Sequence, residues 1–328
     1  MSPSTLLEVR DLKKYFPHKA GWFSHGKKWV HAVDGISFEI GQGETFGLVG
    51  ESGCGKSTTA RLVLRLLEPT AGTISFDGED LLSVDRKRLK NLRRDIQIIF
   101  QDPYASLNPR MRIGAILEEP FIIHKLGTRL ERKGAVLRLL ETVGLGSDAL
   151  SRYPHEFSGG QRQRIATARA LATTPKLVVA DEPVSSLDVS IQAQMINLLK
   201  DLQKKYRLSL LLIAHDLNLV RYLCDRVAVM YLGRIVELAV TQELFSNPLH
   251  PYTQVLLSAI PVLEPSKRRT RIVLEGEPPS PIDLPKGCRF YPRCPKRIPD
   301  CEKEDPALVQ VRKDHYVACI LEDQPWKL

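Results

Sequence analysis

Eight residues, Gly50-Glu-Ser-Gly-Cys-Gly-Lys-Ser57, carry the most specific chemistry in the chain. In a Gly-x-x-x-x-Gly-Lys-Ser loop the glycines let backbone N–H groups curl round a phosphate, the lysine reaches the outer phosphates and the serine hydroxyl coordinates Mg²⁺. A helix starting at Lys56 adds its partial positive charge. The plain alternative, an ordinary strand-to-helix turn, is disfavoured by the flanks described below. A second chemical group is Asp181-Glu182, which follows the apolar run Leu177 to Ala180. A buried strand there delivers carboxylates to the sheet edge where ligands bind. Asp181 would hold Mg²⁺ with Ser57, and Glu182 would orient and deprotonate an attacking water. Alone, such a pair is more often a solvated turn; the upstream phosphate loop gives it weight. Third, Phe157-Ser-Gly-Gly-Gln161 places two glycines behind a hydroxyl at the head of a helix, a second phosphate-binding helix start. Standing alone it would read as a glycine-bearing N-cap.

These groups need a scaffold, and the hydrophobic pattern supplies one. Leu6–Leu12 and Val33–Ile40 alternate, which predicts antiparallel β structure ahead of the loop. Pro17 to Val30 between them reads as an extended hairpin or loop. Thr45–Val49 reads as a short buried strand, Ser57–Leu67 as a helix, Thr73–Gly78 as a strand with its turn, and Ile96–Phe100 as a buried strand ending at Gln101. From Asp102 to about Thr173 the period turns helical, with Ala135, Val136, Leu137, Leu139, Leu140, Val143 and Leu145 at helix spacing. Strand character returns at Leu177–Asp181. A helix at Val189–Tyr206 and an apolar strand at Leu208–Ala214 follow. Short apolar strands alternating with helices predict a mostly parallel sheet with helices against it. The expected organisation is a main domain over residues 6–245, with a helical part at about 102–173 inserted into it, and an extension over 246–328. That extension opens with a short helix ending near Ile260 and is rich in Pro, Lys and Arg.

With 328 residues the chain can hold one large domain and a smaller one. Hydrophobic residues at 43% and charged residues at 26% fit a soluble globular class, and no apolar run approaches the ~20 residues of a membrane span. Met1-Ser-Pro-Ser-Thr lacks the charged and apolar regions of a signal peptide, so a cytosolic location is expected. The formal charge of +9 fits a nucleic-acid partner, an anionic membrane surface, or nothing beyond solubility. The densest basic runs are Arg86-Lys-Arg88 with Lys90, Arg93 and Arg94, and Lys267-Arg-Arg269 with Arg271. Neither is interleaved with aromatics that stack bases, so both read as solvated faces.

The order of phosphate loop, Ser-Gly-Gly-Gln and Asp-Glu resembles that of the ATP-binding-cassette (ABC) ATPases. The remaining motifs of that family fall in sequence: Gln101 as the Q-loop, Ser186-Leu-Asp188 as the D-loop and His215 as the switch histidine. By itself His215 would read as a capping or core histidine. The resemblance covers about residues 6 to 260. It implies an α/β fold with a RecA-like mixed sheet core, an antiparallel β subdomain, an inserted helical subdomain and a small irregular C-terminal domain. It also implies ATP hydrolysis with Mg²⁺. Phe16 would stack on adenine, with Tyr15 the fallback because the following insertion blurs the register. Gly50, Glu51, Ser52, Gly53, Cys54, Gly55, Lys56, Ser57 and Thr58 would hold the phosphates, with Lys56 and the loop amides stabilising phosphoryl transfer electrostatically. Ser57, Asp181 and Gln101 would set Mg²⁺ and water, Glu182 would be the general base, and His215 would contact the γ-phosphate. Ser158, Gly159, Gly160 and Gln161 would cap ATP held on a partner subunit, with Asp188 in the D-loop. The phosphate loop is then half of a nucleotide site.

Phe100-Gln-Asp-Pro-Tyr-Ala-Ser-Leu-Asn-Pro-Arg-Met111, Tyr153-Pro-His-Glu-Phe157 and Asn247-Pro-Leu-His-Pro-Tyr252 resemble the ATPase subunits of dipeptide and oligopeptide importers, the F-type more than the D-type. The resemblance implies a second, non-identical ATPase subunit, two transmembrane permeases whose coupling helix enters a groove beside the Q-loop, and an extracytoplasmic solute-binding protein. It places the chain peripherally on the cytoplasmic face of the membrane, with no nucleic-acid partner. Nickel, glutathione or another small solute remains open as cargo. A soluble ABC ATPase acting on nucleic acid or ribosomes is a further alternative, supported only by the net charge. One cassette without a heptad run speaks against it.

Of the six cysteines, four crowd the last 41 residues: Cys288, Cys294, Cys301 and Cys319, spaced C-x5-C-x6-C-x17-C. This is neither the C-x2-C of structural zinc nor the ferredoxin spacing, and on spacing alone free thiols and a metal site are equally open. Some members of the peptide-importer family hold a four-iron cluster in this tail, so the resemblance implies a [4Fe-4S] cluster on these four. Cys54 reads as a packing residue, with an oxidation-sensitive thiol as the alternative.

Overall fold

The computed structural model describes residues 4–18, 28–260, 272–274, 276–277 and 279–322. The basic run at Lys267–Arg271 and most of the Pro17 to Val30 insertion lie outside the described residues. The chain divides into two units. One comprises Thr5–Ile40, Thr45–Leu82 and the chain from Ala214 onward; the other comprises Gly41–Glu44 and Ser83–Ile213 with Ser4.

The first unit opens with β1 (Thr5–His18) and β2 (Lys28–Gly41). Alternation does here what the sequence predicts: Leu7 and Val9 on β1, and Ile36, Phe38 and Ile40 on β2, are buried. The fully buried β3 (Thr45–Val49) leads into α1 (Lys56–Val63), then β4 (Ala71–Phe76) and β5 (Glu79–Asp80). One sheet runs β2-β1-β4-β5, with β1 antiparallel to β4 in the register Leu7 to Phe76 and Val9 to Ile74. Helix α1 stops earlier than the expected Leu67. Arg65 is left-handed (φ 46) and its guanidinium donates to the Leu81 carbonyl at 2.8 Å, a long-range stop no local residue announces.

In the second unit α2 (Arg86–Asp95) is capped by the Asp85 carboxylate, which accepts from the Arg88 N–H, and its basic residues form the expected exposed face. Next come β6 (Ile96–Ile99), α3 (Pro103–Ser106), α4 (Ile113–Ile123), α5 (Arg129–Thr142), α6 (Gly159–Leu171), β7 (Leu177–Asp181), α7 (Val189–Tyr206) and β8 (Ser209–Ala214). β6, β7 and β8 are parallel neighbours, Ile98 opposite Val179 and Val179 opposite Leu211. β7 and β8 are buried at every position, as continuous apolar strands inside a parallel sheet must be, while β6 at the sheet edge is half-buried at Gln97 and Ile98. Ile113, Ile116 and Leu117 of α4, Val136 and Leu140 of α5, and Ile165 and Ala168 of α6 close one helical core together with Phe157.

The first unit resumes with α8 (Leu217–Leu223), β9 (Arg226–Tyr231), β10 (Arg234–Val240), α9 (Thr241–Ser246) and α10 (Pro251–Ser258). The extension then adds two strands absent from the sequence reading, β11 (Val309–Arg312) and β12 (His315–Val317). β3 is parallel to β9, β9 and β10 form an antiparallel hairpin, and β12 lies antiparallel on β10 with Glu237 opposite Val317. Glu237 is fully buried, and its carboxylate accepts from the N–H groups of Leu249 (2.8 Å) and His250 (2.9 Å) and meets His315 Nε2 at 2.7 Å. A buried carboxylate is tolerable only with such partners, and here they stitch the extension to the hairpin.

Candidate functional site

The phosphate loop connects β3 to α1 as expected. Gly55 precedes the helix at φ 111, and a Cβ there would meet the Ala32 carbonyl oxygen at 2.1 Å, so only glycine fits. Lys56 is buried, and its Nζ donates to the carbonyls of Gly50 (2.8 Å) and Glu51 (2.9 Å). The ammonium rests on the loop's own oxygens, where incoming phosphate oxygens would replace them. Ser52 and Gly53 are exposed at the tip; Ser57 and Thr58 are half-buried on the first turn of α1. Cys54 is buried, a Cβ on Gly50 would lie 2.8 Å from its Sγ, and burial pushes its thiol up from the ordinary value. Cys224 also packs: a Cβ on Gly47 of β3 would lie 2.9 Å from its Sγ.

Several residues around the loop carry no motif and were missed in the sequence. Tyr252 is fully buried and its hydroxyl accepts from the Glu51 N–H at 2.9 Å. Arg293 grips the Glu51 carboxylate at 2.9 and 3.2 Å. Asp34 accepts from the Tyr15 hydroxyl and from Arg289, which also donates to the Leu232 carbonyl. Tyr252 lies in a stretch the sequence does single out, Asn247–Tyr252, but nothing local ties it to the loop. Tyr15 also packs its ring 4.4 Å from His31, and burial together with Asp34 pushes its phenol up to about 12. Phe16, the next residue, is half-buried.

In the second unit, β7 delivers Asp181 and Glu182 at its C-terminal end. Asp181 is buried; Glu182 is left-handed (φ 47), with its N–H donating to the Ile213 carbonyl at 2.9 Å. Such a backbone costs a non-glycine residue roughly 1–2 kcal/mol, and it turns the chain sharply off the strand. Gln101, just beyond β6, donates from Nε2 to Glu182 Oε2 at 2.9 Å. The parallel pairing of β6 with β7 therefore brings the Q-loop amide onto the candidate base. Asp188 is exposed at the N-cap of α7. His215, in the first unit, is exposed directly after β8.

Ser158 caps α6 in a reciprocal box: its Oγ accepts from Gln161 N–H (3.3 Å) while Gln161 Oε1 accepts from Ser158 N–H (3.0 Å). The two glycines differ. A Cβ on Gly160 would lie 2.3 Å from Ile191 Cγ2 on α7, so helix packing demands glycine there. A Cβ on Gly159 would make only ordinary contact, 3.6 Å to Leu187 Cδ2. Beside the Q-loop the same unit has a groove of about 230 Å³, lined by Phe100, Ser106, Glu119, Ile123 and Arg169 among others, with Phe100 and Ile123 exposed.

Cys288, Cys294, Cys301 and Cys319 are unpaired by disulfides and line one small cavity of about 10 Å³, closed by Phe290, Pro306 and Ile320 among others. Burial pushes the Cys288 and Cys319 thiols up to about 11 and raises Cys294 as well. Among the described residues no group of three or more His, Cys, Asp or Glu is arranged to hold a metal ion. The four thiols share an enclosure but form no metal-ion geometry, so nothing in their arrangement itself speaks for the expected cluster. No helix among the described residues is long and apolar enough to cross a membrane.

Comparison with known proteins agrees with this assembly of parts. Residues 33–185 match the family described as "ABC transporter", and residues 236–301 match "Oligopeptide/dipeptide transporter, C-terminal region". The chain is 53% identical over 320 residues to an oligopeptide transport ATP-binding protein, AppF, of Bacillus subtilis, with 97% of each chain covered. It is 52% identical over 314 residues to a dipeptide transport ATP-binding protein, DppF, of Haemophilus influenzae, with 96% of each covered. Among solved structures, an ATP-binding cassette captured as a dimer in a post-hydrolysis state with ADP and Pi is 28% identical with a TM-score of 0.64, covering 72% of this chain and 99% of that one.

Proposed function

This chain belongs to the ATP-binding subunits of the oligopeptide and dipeptide ABC transporters, and on that premise we infer that it hydrolyses ATP to power peptide import through membrane permeases. The observation that carries the reading is that similarity to peptide-transport subunits runs through both the cassette and the extension. The named relatives carry peptides, which favours peptide over the nickel, glutathione and ribosome alternatives.

The chain's own residues divide the work as follows. Residues 6–245 act as the ATPase domain, with 102–173 as its helical part, and 246–328 as the extension. Phe16 stacks on adenine. The outer phosphates take the Gly50 and Glu51 carbonyls' place on Lys56, while the loop amides and the N-terminus of α1 meet the remaining phosphate charge. Ser57, Asp181 and Gln101 are oxygen donors suited to a hard cation and would hold Mg²⁺, which supplies charge neutralisation on the phosphates. Water attacks the γ-phosphorus, the bond to the β–γ bridging oxygen breaks, and the water's proton passes to Glu182; His215 contacts the γ-phosphate. Ser158, Gly159, Gly160 and Gln161, with Asp188, serve ATP on a second, non-identical ATPase subunit. Among the described residues a Cβ at Gly159 would make only ordinary contact, 3.6 Å to Leu187 Cδ2, which leaves room for a ligand at the head of α6. The groove at Phe100 and Ile123 receives a permease helix on the cytoplasmic face, and an extracytoplasmic solute-binding protein delivers the peptide.

For the tail we propose a [4Fe-4S] cluster on Cys288, Cys294, Cys301 and Cys319. What supports the reading is the donor set: four thiols in one enclosure match one cluster's ligand count. Such a cluster would supply a covalent cross-link among the tail's loops. Anaerobic purification should yield iron with broad visible absorption; stoichiometric zinc, or neither metal, would refute it.

The test of the main reading is reconstitution with two permeases, the second ATPase and the binding protein. ATPase activity is expected to rise with peptide-loaded binding protein. Stimulation by RNA instead, or full-rate hydrolysis by a strict monomer, would overturn it.

A further inference from the structure

The segment Cys288-Arg-Phe-Tyr-Pro-Arg-Cys294 has two sides. Its thiols face the tail cavity, while its arginines reach into the nucleotide-binding part of the same unit. A tight series of backbone bonds fixes the segment: Cys288 N–H to the Cys301 carbonyl (2.8 Å), Tyr291 N–H to Cys288 (3.0 Å) and Arg293 N–H to Phe290 (3.0 Å). Phe290 is fully buried and wedges against Tyr231 (5.3 Å between centroids) and Tyr252 (5.4 Å). From this platform Arg293, whose side chain is 8% exposed, forks the Glu51 carboxylate. Every polar part of Glu51 is then engaged: its N–H by the Tyr252 hydroxyl, its carbonyl by Lys56 and its carboxylate by Arg293.

Glu51 is the first variable position of a loop built to receive anionic phosphates. A free carboxylate there would repel them, and a mobile one would let the loop amides lose their alignment. A two-toothed guanidinium removes the charge and fixes the geometry together, which an ammonium does less well. We propose that Arg293 is a positioning residue for the phosphate loop: by neutralising and holding Glu51, it sets the affinity for ATP from the extension. This rests on the reading that Gly50–Ser57 holds the ATP phosphates.

The test uses the full chain. Binding of a fluorescent ATP analogue with Mg²⁺, thermal unfolding, and KM and kcat of the assembled transporter are measured for Arg293→Met, Arg293→Lys, Arg293→Met with Glu51→Gln, and Lys56→Ala. Arg293→Met should weaken nucleotide binding and raise KM by about tenfold with kcat little changed. Arg293→Lys should lie between it and wild type. Adding Glu51→Gln to Arg293→Met should restore most of the affinity, because the unpaired carboxylate is gone. If Arg293 only anchors the tail, thermal stability falls, KM stays put and Glu51→Gln rescues nothing; that result overturns the proposal. Should Arg293→Met fail to fold, Arg293→Lys decides: unchanged KM overturns the proposal, a raised one supports it. Lys56→Ala separates the two levels. Retained nucleotide binding in that variant would refute the phosphate-loop reading itself, whereas lost binding beside wild-type behaviour of the Arg293 variants would refute the positioning role alone.

Discussion

The side-chain amide of Gln101 donates to the carboxylate of Glu182 at 2.9 Å, joining the end of one parallel strand to the end of its neighbour. The bond orients the carboxylate that we propose receives the proton of the attacking water. Glu182→Gln keeps the shape and loses the proton acceptor. Its hydrolysis should fall by roughly 10²–10⁴-fold while ATP binding is retained. Single-turnover rates beside equilibrium binding check this, and near-normal turnover would remove Glu182 from the role of base.

Gln101→Ala removes this one bond to Glu182. A carboxylate less firmly oriented spends less time on the water, so kcat should drop about tenfold, and the Mg²⁺ needed for half-maximal rate should rise if Gln101 also faces the metal. A Mg²⁺ titration of the assembled ATPase reads both. Unaltered kcat would mean that the bond is incidental.

Asp34 gives a pH prediction. Burial raises its carboxyl, but the Tyr15 hydroxyl and the Arg289 guanidinium outweigh that and hold it below the ordinary carboxylate value. A carboxyl depressed on folding contributes stability above its unfolded value of about 3.9, and that contribution is lost as pH falls through the folded value. Urea unfolding should therefore lose stability below about pH 4. Asp34→Asn strands the buried Arg289 and should cost about 3–5 kcal/mol at neutral pH, with a shallower loss on acidification. Equal steepness in the variant would assign the acid sensitivity elsewhere.

The legible part of this molecule is the part whose reasons are local. Thr45–Val49, Leu177–Asp181 and the Gly50–Ser57 loop are readable because strand, turn and helix signals lie within a few residues of one another, and β3 and β7 lie where expected. The strands β11 and β12 are not, because what holds them is Glu237, which reads as a surface residue and is buried against His315 far along the chain. The Arg293–Glu51 fork spans 242 positions and has no periodicity to betray it. Spacing favours Phe16 over Tyr15 as the adenine platform but leaves Tyr15 as the fallback, and the bond that engages the Tyr15 hydroxyl with Asp34 has no local signal in the sequence.

The two signature glycines make the last prediction, because the fold treats them differently. Gly160 is wedged on Ile191, so Gly160→Ala must push α6 and α7 apart and should destabilise the isolated chain by about 1–3 kcal/mol. Among the described residues a Cβ added at Gly159 would meet nothing nearer than Leu187 Cδ2 at 3.6 Å, so Gly159→Ala should leave the melting temperature of the isolated chain within error. If Gly159 is glycine for the sake of a nucleotide on the partner subunit, the same methyl group should depress ATPase activity of the assembled transporter severalfold or more. A Gly159→Ala subunit that is stable alone and fully active when assembled would show that the head of α6 approaches no ligand. One that is stable alone and impaired only in the assembly would put the second half of the nucleotide site at that helix.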